Sequence, residues 1–448
     1  MVSLCGLVRR IPTRADLKKH YNNRGFYSLS FNQRISQIAV TLVLFWGVSL
    51  PSMAVSQDLD QGLTSALRAT LMYHPAVKGK QAELEAQNYL LDSAKAGRYP
   101  TLSLQANNLD DEFNRGSVRV QQPLYTFGKI SNAIDQAEAG FTAKQWGLLQ
   151  VQRQLMEETA VTYAKVEGIN QRQQVANDNV LQHQALFQRI ERRQQGSLAT
   201  AADVQLAQSR LLQARVQRQT IGGERLVALS ELQSLTQVYV VTDSAVDPLL
   251  AVLPALPEVE RVALDNSADL QVKRQRLKVA QLQIEKQKAA AMPNIYFQVD
   301  HDVGDSQINA ERTRYGVNFT ASFDGLGFAS RGQVKSAVAR SNAAKYDLDT
   351  SLNEVKRRVN MLMLNRSVQH DAVRSQGHVV DSMSATLASF TRQYQSGHKT
   401  WVEVLNTQRE LTQQRLLLVQ LQNDWLILSL RVATLIGSFD QLAGIQAL

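Results

Sequence analysis

One cysteine, Cys5, stands in the whole chain, which excludes a disulfide framework, a cysteine zinc site and an iron–sulfur centre. Proline and glycine are scarce, 9 and 23 of 448 residues, and that argues against a protein of many short strands and turns. The seven histidines, at 20, 74, 183, 301, 370, 378 and 398, include no close pair with metal-ligand spacing. There is no phosphate-binding glycine loop and no Gly-x-Ser-x-Gly elbow, so the motifs give neither a nucleotide-driven motor nor a serine hydrolase. The chain therefore reads as non-enzymatic, with no cofactor and no metal implied.

What is present points to helices. Hydrophobic residues make up 44% and charged residues 20%, enough to bury a core and to exclude wholesale disorder. Glutamine occurs 48 times, alongside much Ala, Leu and Arg, a mixture that favours long helices with wide polar faces. The formal charge of +9 suggests nucleic acid until it is located. Residues 1–54 hold seven Lys/Arg and one Asp, leaving 42 basic and 39 acidic residues in the remainder. Arg189, Arg192 and Arg193 form a basic cluster, but Glu191 and the surrounding glutamines read as a solvated surface, so no nucleic-acid partner is expected.

Those N-terminal charges, from Arg9 to Arg34, precede an apolar run from Ile38 to Leu50 and the short tail Pro51-Ser52-Met53-Ala54. Positive region, apolar stretch and small-x-small exit are the parts of a secretory signal, with cleavage expected after Ala54. A membrane anchor is the alternative, but about 20 apolar residues are needed to span a bilayer. The positive region is long, which leaves open a translation start downstream of Met1.

The remainder is written twice. His74-Pro75-Ala76-Val77 opens a helical stretch to Gly97, followed by Tyr99-Pro100-Thr101-Leu102-Ser103-Leu104. Asn266 to Leu270 opens another to Ala291, followed by Met292-Pro293-Asn294-Ile295-Tyr296-Phe297. Pro100 and Pro293 are 193 residues apart, and Gly196–Val204 answers Ser396–Val404 at an offset of 200. Each half predicts helix, two strands, very long helix, tight turn, helix. The repeats are placed at 55–236 and 258–437, with a Pro-containing linker at 237–257 and a tail at 438–448. The linker's apolar run Leu249–Leu256 is expected to pack on the long helices.

The strands rest on period-2 alternation: Leu102, Leu104 and Ala106; Ile295, Phe297 and Val299; and Tyr315, Val317, Phe319, Ala321 and Phe323. Ser117–Thr126 is rougher, interrupted at Gln121-Gln122-Pro123. Four such strands make too small a sheet to stand alone in water. Alternation of about ten residues per strand is what an outer-membrane barrel needs. The long helices are predicted at Lys129–Gln195 and Arg331–Ser396, neither containing proline, and each would be about 100 Å long. Val404, Leu411, Leu418, Trp425 and Val432 recur every seven residues in the last helix, the pattern of coiled-coil packing. A soluble two-hairpin coiled coil is the competing reading.

With the junctions at Pro100 and Pro293, the strand exit Gln122-Pro123-Leu124-Tyr125-Thr126-Phe127-Gly128-Lys129 and the two turns in this order, the chain resembles the TolC family of outer-membrane channel proteins. The resemblance covers nearly everything after residue 54. It implies a mainly α fold with membrane β: internally duplicated, long coiled-coil hairpins, and four strands per chain in a trimeric 12-stranded barrel. It implies a homotrimer in the Gram-negative outer membrane lipid, with a helical tunnel in the periplasm. The implied partners are a periplasmic adaptor (membrane fusion) protein and an inner-membrane ABC transporter, or an RND-type pump in its place.

It also implies site residues. The turns at Gly196, Ser197 and Asp203 and at Gly397 and Thr400 correspond to adaptor-docking tips; the plain alternative is that they are only hairpin turns. Ser197 aligns with Gly397, so the first turn's glycine stands one residue early. Glu403 and Asn406 map onto the family's gate ring, and Tyr394 and Lys399 onto its entrance latch. The alternative for Glu403, and the favoured reading of Asp203, is a helix-start carboxylate stabilised by the dipole. The exit Ser322–Ser330, with Gly325-Leu326-Gly327, resembles the branch that exports very large adhesins by type I secretion, and small-molecule efflux is the alternative.

Overall fold

A computed structural model of the chain describes residues 61–107, 115–242, 245–246, 251–303, 313–322 and 324–445. The expected signal at 1–54, its cleavage after Ala54, most of both hairpin loops, Phe323 and part of the linker lie outside them. The first repeat runs α1 (Gln61–Tyr73), α2 (Pro75–Ala96), β1 (Thr101–Asn107), β2 (Arg115–Tyr125), α3 (Lys129–Gln195) and α4 (Ala201–Thr236). The second runs α5 (Leu256–Asn266), α6 (Ala268–Ala290), β3 (Asn294–Val303), β4 (Thr313–Thr320), α7 (Phe328–Gln395) and α8 (Trp401–Leu435), closed by α9 (Phe439–Ala443).

Local chemistry sets the boundaries. Pro75 sits in the first turn of α2, where its missing N–H costs nothing, and His74 Nδ1 accepts from Ala76 N at 3.1 Å. Ser267 caps α6 in the same way, its hydroxyl accepting from Leu270 N at 3.3 Å. These caps separate α1 from α2 and α5 from α6, two short leading helices that the repeat pattern did not announce. The 67 residues of α3 are those predicted. By contrast, α7 starts three residues before the expected Arg331, because Gly325, Leu326 and Gly327 adopt φ of 57°, 58° and 88° and turn the chain directly into the helix at Phe328.

The four strands form one antiparallel sheet in the order β1-β2-β3-β4, so β2–β3 pairing joins the two repeats. Cross-strand rows alternate in character. Leu102, Val120, Val299 and Tyr315 face one another in one row, with Gln122, Phe297 and Val317 in another on the same face. Among the described residues no helix covers this face: Leu104 is 71% exposed and Tyr315 79%. His301 and Thr313 break the apolar pattern near one end and satisfy each other at 2.8 Å. The opposite face carries Ser103, Arg119, Asp300 and Arg314 in one row and Thr101, Gln121 and Gln298 in the next. Among the described residues the outer edges of β1 and β4 have no strand partner. Such edges and an uncovered apolar face are stable only in an assembly that closes the sheet within lipid.

Two apolar cores brace the long helices. One gathers Leu63, Leu67, Met156, Tyr163, Leu232, Leu430 and Phe439 from α1, α3, α4, α8 and α9. The other gathers Val259, Leu270, Val355, Val359, Leu362 and Val432 from α5, α6, α7 and α8. Each fully buried large side chain contributes about 1.5–3 kcal/mol. Leu253 and Leu256 of the linker pack against these cores, as expected of that apolar run. Arg366 fastens it: Nη2 donates to Ala251 O at 2.6 Å and Nε to Ser429 Oγ at 2.8 Å, while its guanidinium lies 5.0 Å from the Trp425 ring. Among the described residues no helix is long and apolar enough to cross a membrane.

Candidate functional site

The two helical hairpins end in tips that share one backbone design. At the end of α3, Leu198 N donates to Arg193 O at 2.7 Å and Ser197 takes φ of 58°. At the end of α7, His398 N donates to Gln393 O at 2.9 Å and Gly397 takes φ of 82°. Both are Schellman stops, which need one left-handed residue. The first turn's early glycine therefore does not change the geometry: Ser197 carries the left-handed position itself, at a steric cost that Gly397 avoids. Gly196, Ser197, Gly397 and Thr400 are all exposed.

Each tip then restarts with a capping box. Thr200 Oγ1 accepts from Asp203 N at 3.2 Å and Asp203 Oδ2 accepts from Thr200 N at 2.9 Å. Thr400 and Glu403 repeat the exchange at 3.4 and 2.9 Å. Asp203 and Glu403 are thus both helix-start carboxylates, as the plain reading held. Glu403 has a further partner, Lys399 Nζ, at 2.6 Å. That bond first, and those from Thr400 next, bring its pKa from 4.5 down to about 2. Asp203 is also lowered, chiefly by the Thr200 backbone. Asn406 is exposed one turn along α8.

Two contacts tie the tips to each other. Arg193 Nη1 donates to Tyr394 Oη at 2.9 Å, and the guanidinium lies 5.6 Å from the Tyr394 ring. Trp401 Nε1 donates to Asp203 Oδ1 at 3.1 Å. Tyr394 and Asp203 are thereby placed in contacts between hairpins. Lys399 is not; it bonds within its own tip and lies 4.4 Å from the Phe390 ring. Arg193, read from the sequence as part of a solvated cluster, instead engages the other hairpin. Trp401 is the residue that sequence reasoning passed over, although a large aromatic standing where the first repeat has Ala201 is a legible signal.

Behind the tips, α3 meets α8 through polar groups: Thr412 Oγ1 donates to Asn179 Oδ1 at 2.9 Å, and Gln408 bonds Gln182. His183 is buried beside them, and burial first, then the charge of Arg210, lowers its pKa below the usual imidazole value. Further along, Gly168 lets the two helices approach, since a Cβ there would lie 2.5 Å from Asn423 Cγ.

A four-stranded apolar-faced sheet with two open edges, continued by two helices each about 100 Å long, is the architecture of an outer-membrane channel protomer with a periplasmic tunnel. Over residues 66–236 and 260–438 the chain matches the outer membrane efflux protein family, and it belongs to that family. Members are TolC-type conduits without enzymatic activity; they are trimers that work with periplasmic adaptors and inner-membrane pumps. The solved channel CusC superposes with a TM-score of 0.74 at 18% identity, covering 84% of this chain and 92% of that one. VceC of Vibrio cholerae superposes at 0.70 with 17% identity, over 84% and 96%. The toluene efflux pump outer membrane protein TtgF of Pseudomonas putida is 28% identical over 122 residues, 23% of this chain, and the match spans only a quarter of that relative's length.

Proposed function

We propose that three copies of this chain form a passive exit duct, closed at its periplasmic end by ties between hairpin tips and opened when an adaptor docks there. The observation that carries this reading is the pair of inter-hairpin contacts, Arg193–Tyr394 and Trp401–Asp203. They are few, partly solvated and made by side chains at the extreme ends of rigid helices, so a partner that replaces them separates the tips without disturbing either core. The exposed backbone around Gly196, Ser197, Gly397 and Thr400 is the surface offered to that partner. Export to this location rests on the signal assigned to residues 1–54.

The gate's electrostatics follow from Glu403. Three copies around an axis would form a negative ring favouring cations, with Asn406 beside it adding no charge. Lys399 offsets each carboxylate within its own tip, so the ring's net charge depends on both residues. Glu403→Gln should weaken cation selectivity in planar bilayers, and Lys399→Gln should strengthen it; unchanged selectivity in both removes Glu403 from the ring.

For cargo we favour a large protein, an adhesin, handed over by an inner-membrane ABC transporter in a type I secretion system. The support is the Gly325-Leu326-Gly327 exit from the second hairpin, whose three left-handed residues lead into α7. Efflux of small molecules through an RND-type pump is the second reading, favoured by the efflux-pump outer membrane proteins of Pseudomonas putida that the chain resembles in part. Comparing the surface and secreted proteins of a deletion strain with its parent decides between them. Loss of one very large protein supports secretion; an unchanged set of proteins with raised sensitivity to toxic compounds supports efflux.

A further inference from the structure

The polar face of the sheet holds fixed charges of both signs at one level. Arg119, Asp300 and Arg314 are consecutive members of one cross-strand row, and Asp302 stands one place along on the same face. They are paired: Arg119 Nε donates to Asp300 Oδ1 at 2.6 Å and Arg314 Nη2 to Asp302 Oδ2 at 2.9 Å. Uncharged groups flank them. Gln121 Nε2 donates to Gln298 Oε1 at 2.8 Å, Asn318 Nδ2 to the same oxygen at 3.0 Å, and Gln298 Nε2 to Asp300 Oδ2 at 2.6 Å. In the closed barrel of the proposed duct the uncovered apolar face meets lipid, so this face would line the lumen. A barrel of 12 strands is too wide for side chains to fill, so these groups meet water and cargo.

We propose that Arg119, Asp300, Asp302 and Arg314 form a charge-balanced girdle in the barrel lumen, which lets cargo of either charge pass at that level. The inference rests on the barrel reading above and adds a specificity-determining element separate from Glu403. In the trimer the girdle comprises six guanidinium and six carboxylate groups with no net charge. Each ion locks its neighbour to the wall across strands β2, β3 and β4, leaving cargo a polar, hydrogen-bonded surface rather than a charged one. Removing one sign converts the girdle into a ring of six like charges, which would concentrate counter-ions about tenfold or more.

The test uses full-length trimers in planar bilayers, with a polyvalent blocker added on the barrel side, so that the periplasmic constriction does not dominate the readout. The Asp300→Asn/Asp302→Asn channel should be blocked by inorganic triphosphate at least about tenfold more strongly than wild type. The Arg119→Gln/Arg314→Gln channel should instead gain block by hexaamminecobalt. Should the double Asn variant fail to form trimers, Asp302→Asn alone, at the more exposed pair, should show a smaller shift in the same direction. Assembled variants that conduct and keep wild-type sensitivity to both blockers would overturn the girdle and leave the duct intact. A wild type that never conducts would overturn both.

Discussion

Tyr394→Phe isolates one tie between the tips. The substitution deletes the hydroxyl that accepts from Arg193 at 2.9 Å and keeps the ring over which the guanidinium lies at 5.6 Å. A net hydrogen bond of this kind is worth about 1 kcal/mol. Three protomers opening together would lose about 3 kcal/mol of closed-state preference, or about a hundredfold in the open-to-closed ratio. Arg193→Gln also forfeits the cation–π contact, about 0.5–1 kcal/mol more per protomer at an exposed site, so its effect should exceed that of Tyr394→Phe. The two residues touch, so the double variant should fall short of additivity. Single-channel recording measures the open fraction directly. Assembled trimers of both variants with wild-type conductance and open fraction would refute the claim that this contact holds the duct closed.

Other outcomes follow from the same geometry. Ser197→Gly relieves a left-handed serine and should steady the first tip by about 1 kcal/mol, read as slower amide exchange at residues 196–200, whereas Gly397→Ser should do the opposite at the second. Asp203 and Glu403 both have depressed pKa values, so their contribution at the tips is complete above the ordinary carboxylate range and is lost as pH falls below it, toward about 2 for Glu403; fluorescence of Trp401, which donates to Asp203, taken as the difference from Trp401→Phe, should change in that window and stay flat from pH 5 to 8. Gly168→Ala forces a methyl against Asn423 and should lower the heat stability of the trimer through overpacking of about 1–3 kcal/mol, with rescue by Asn423→Ala.

Much of the architecture was legible because it rests on local signals repeated twice. Pro100, Gly128, the absence of proline through residue 195 and the turn after it delimit α3 without reference to any other part of the chain. The alternation Tyr315-Val317-Phe319 marks β4, although pairing ends at Thr320 and leaves Ala321, the next member of the alternation, outside the strand. Less legible was α1, where Leu63, Ala66, Leu67 and Thr70 have amphipathic spacing but the stronger His74-Pro75 start draws the boundary after them. In α8 the heptad row Val404, Leu411 and Val432 is buried, yet so are Leu405, Leu430 and Ala433, because the helix packs on both α7 and α3 and needs two apolar seams. The candidate site divides along the same line. The capping boxes at Thr200 and Thr400 are readable three residues at a time. The contacts of Arg193 with Tyr394 and of Trp401 with Asp203 join residues 201 and 198 positions apart and depend on the register between hairpins, which no local pattern encodes.

The proposed duct requires that the four strands of one chain continue into those of the next. Within a chain, β1 and β4 are separated by two strands, so positions on them lie at least about 14 Å apart. A chain carrying Ser103→Cys and Asn318→Cys, in outer-membrane fractions treated with a thiol crosslinker that spans less than 10 Å, should therefore join only different copies, giving covalent species that stop at three chains. A product confined to monomers, or a chain found soluble in the periplasm, would show that the sheet does not close between copies.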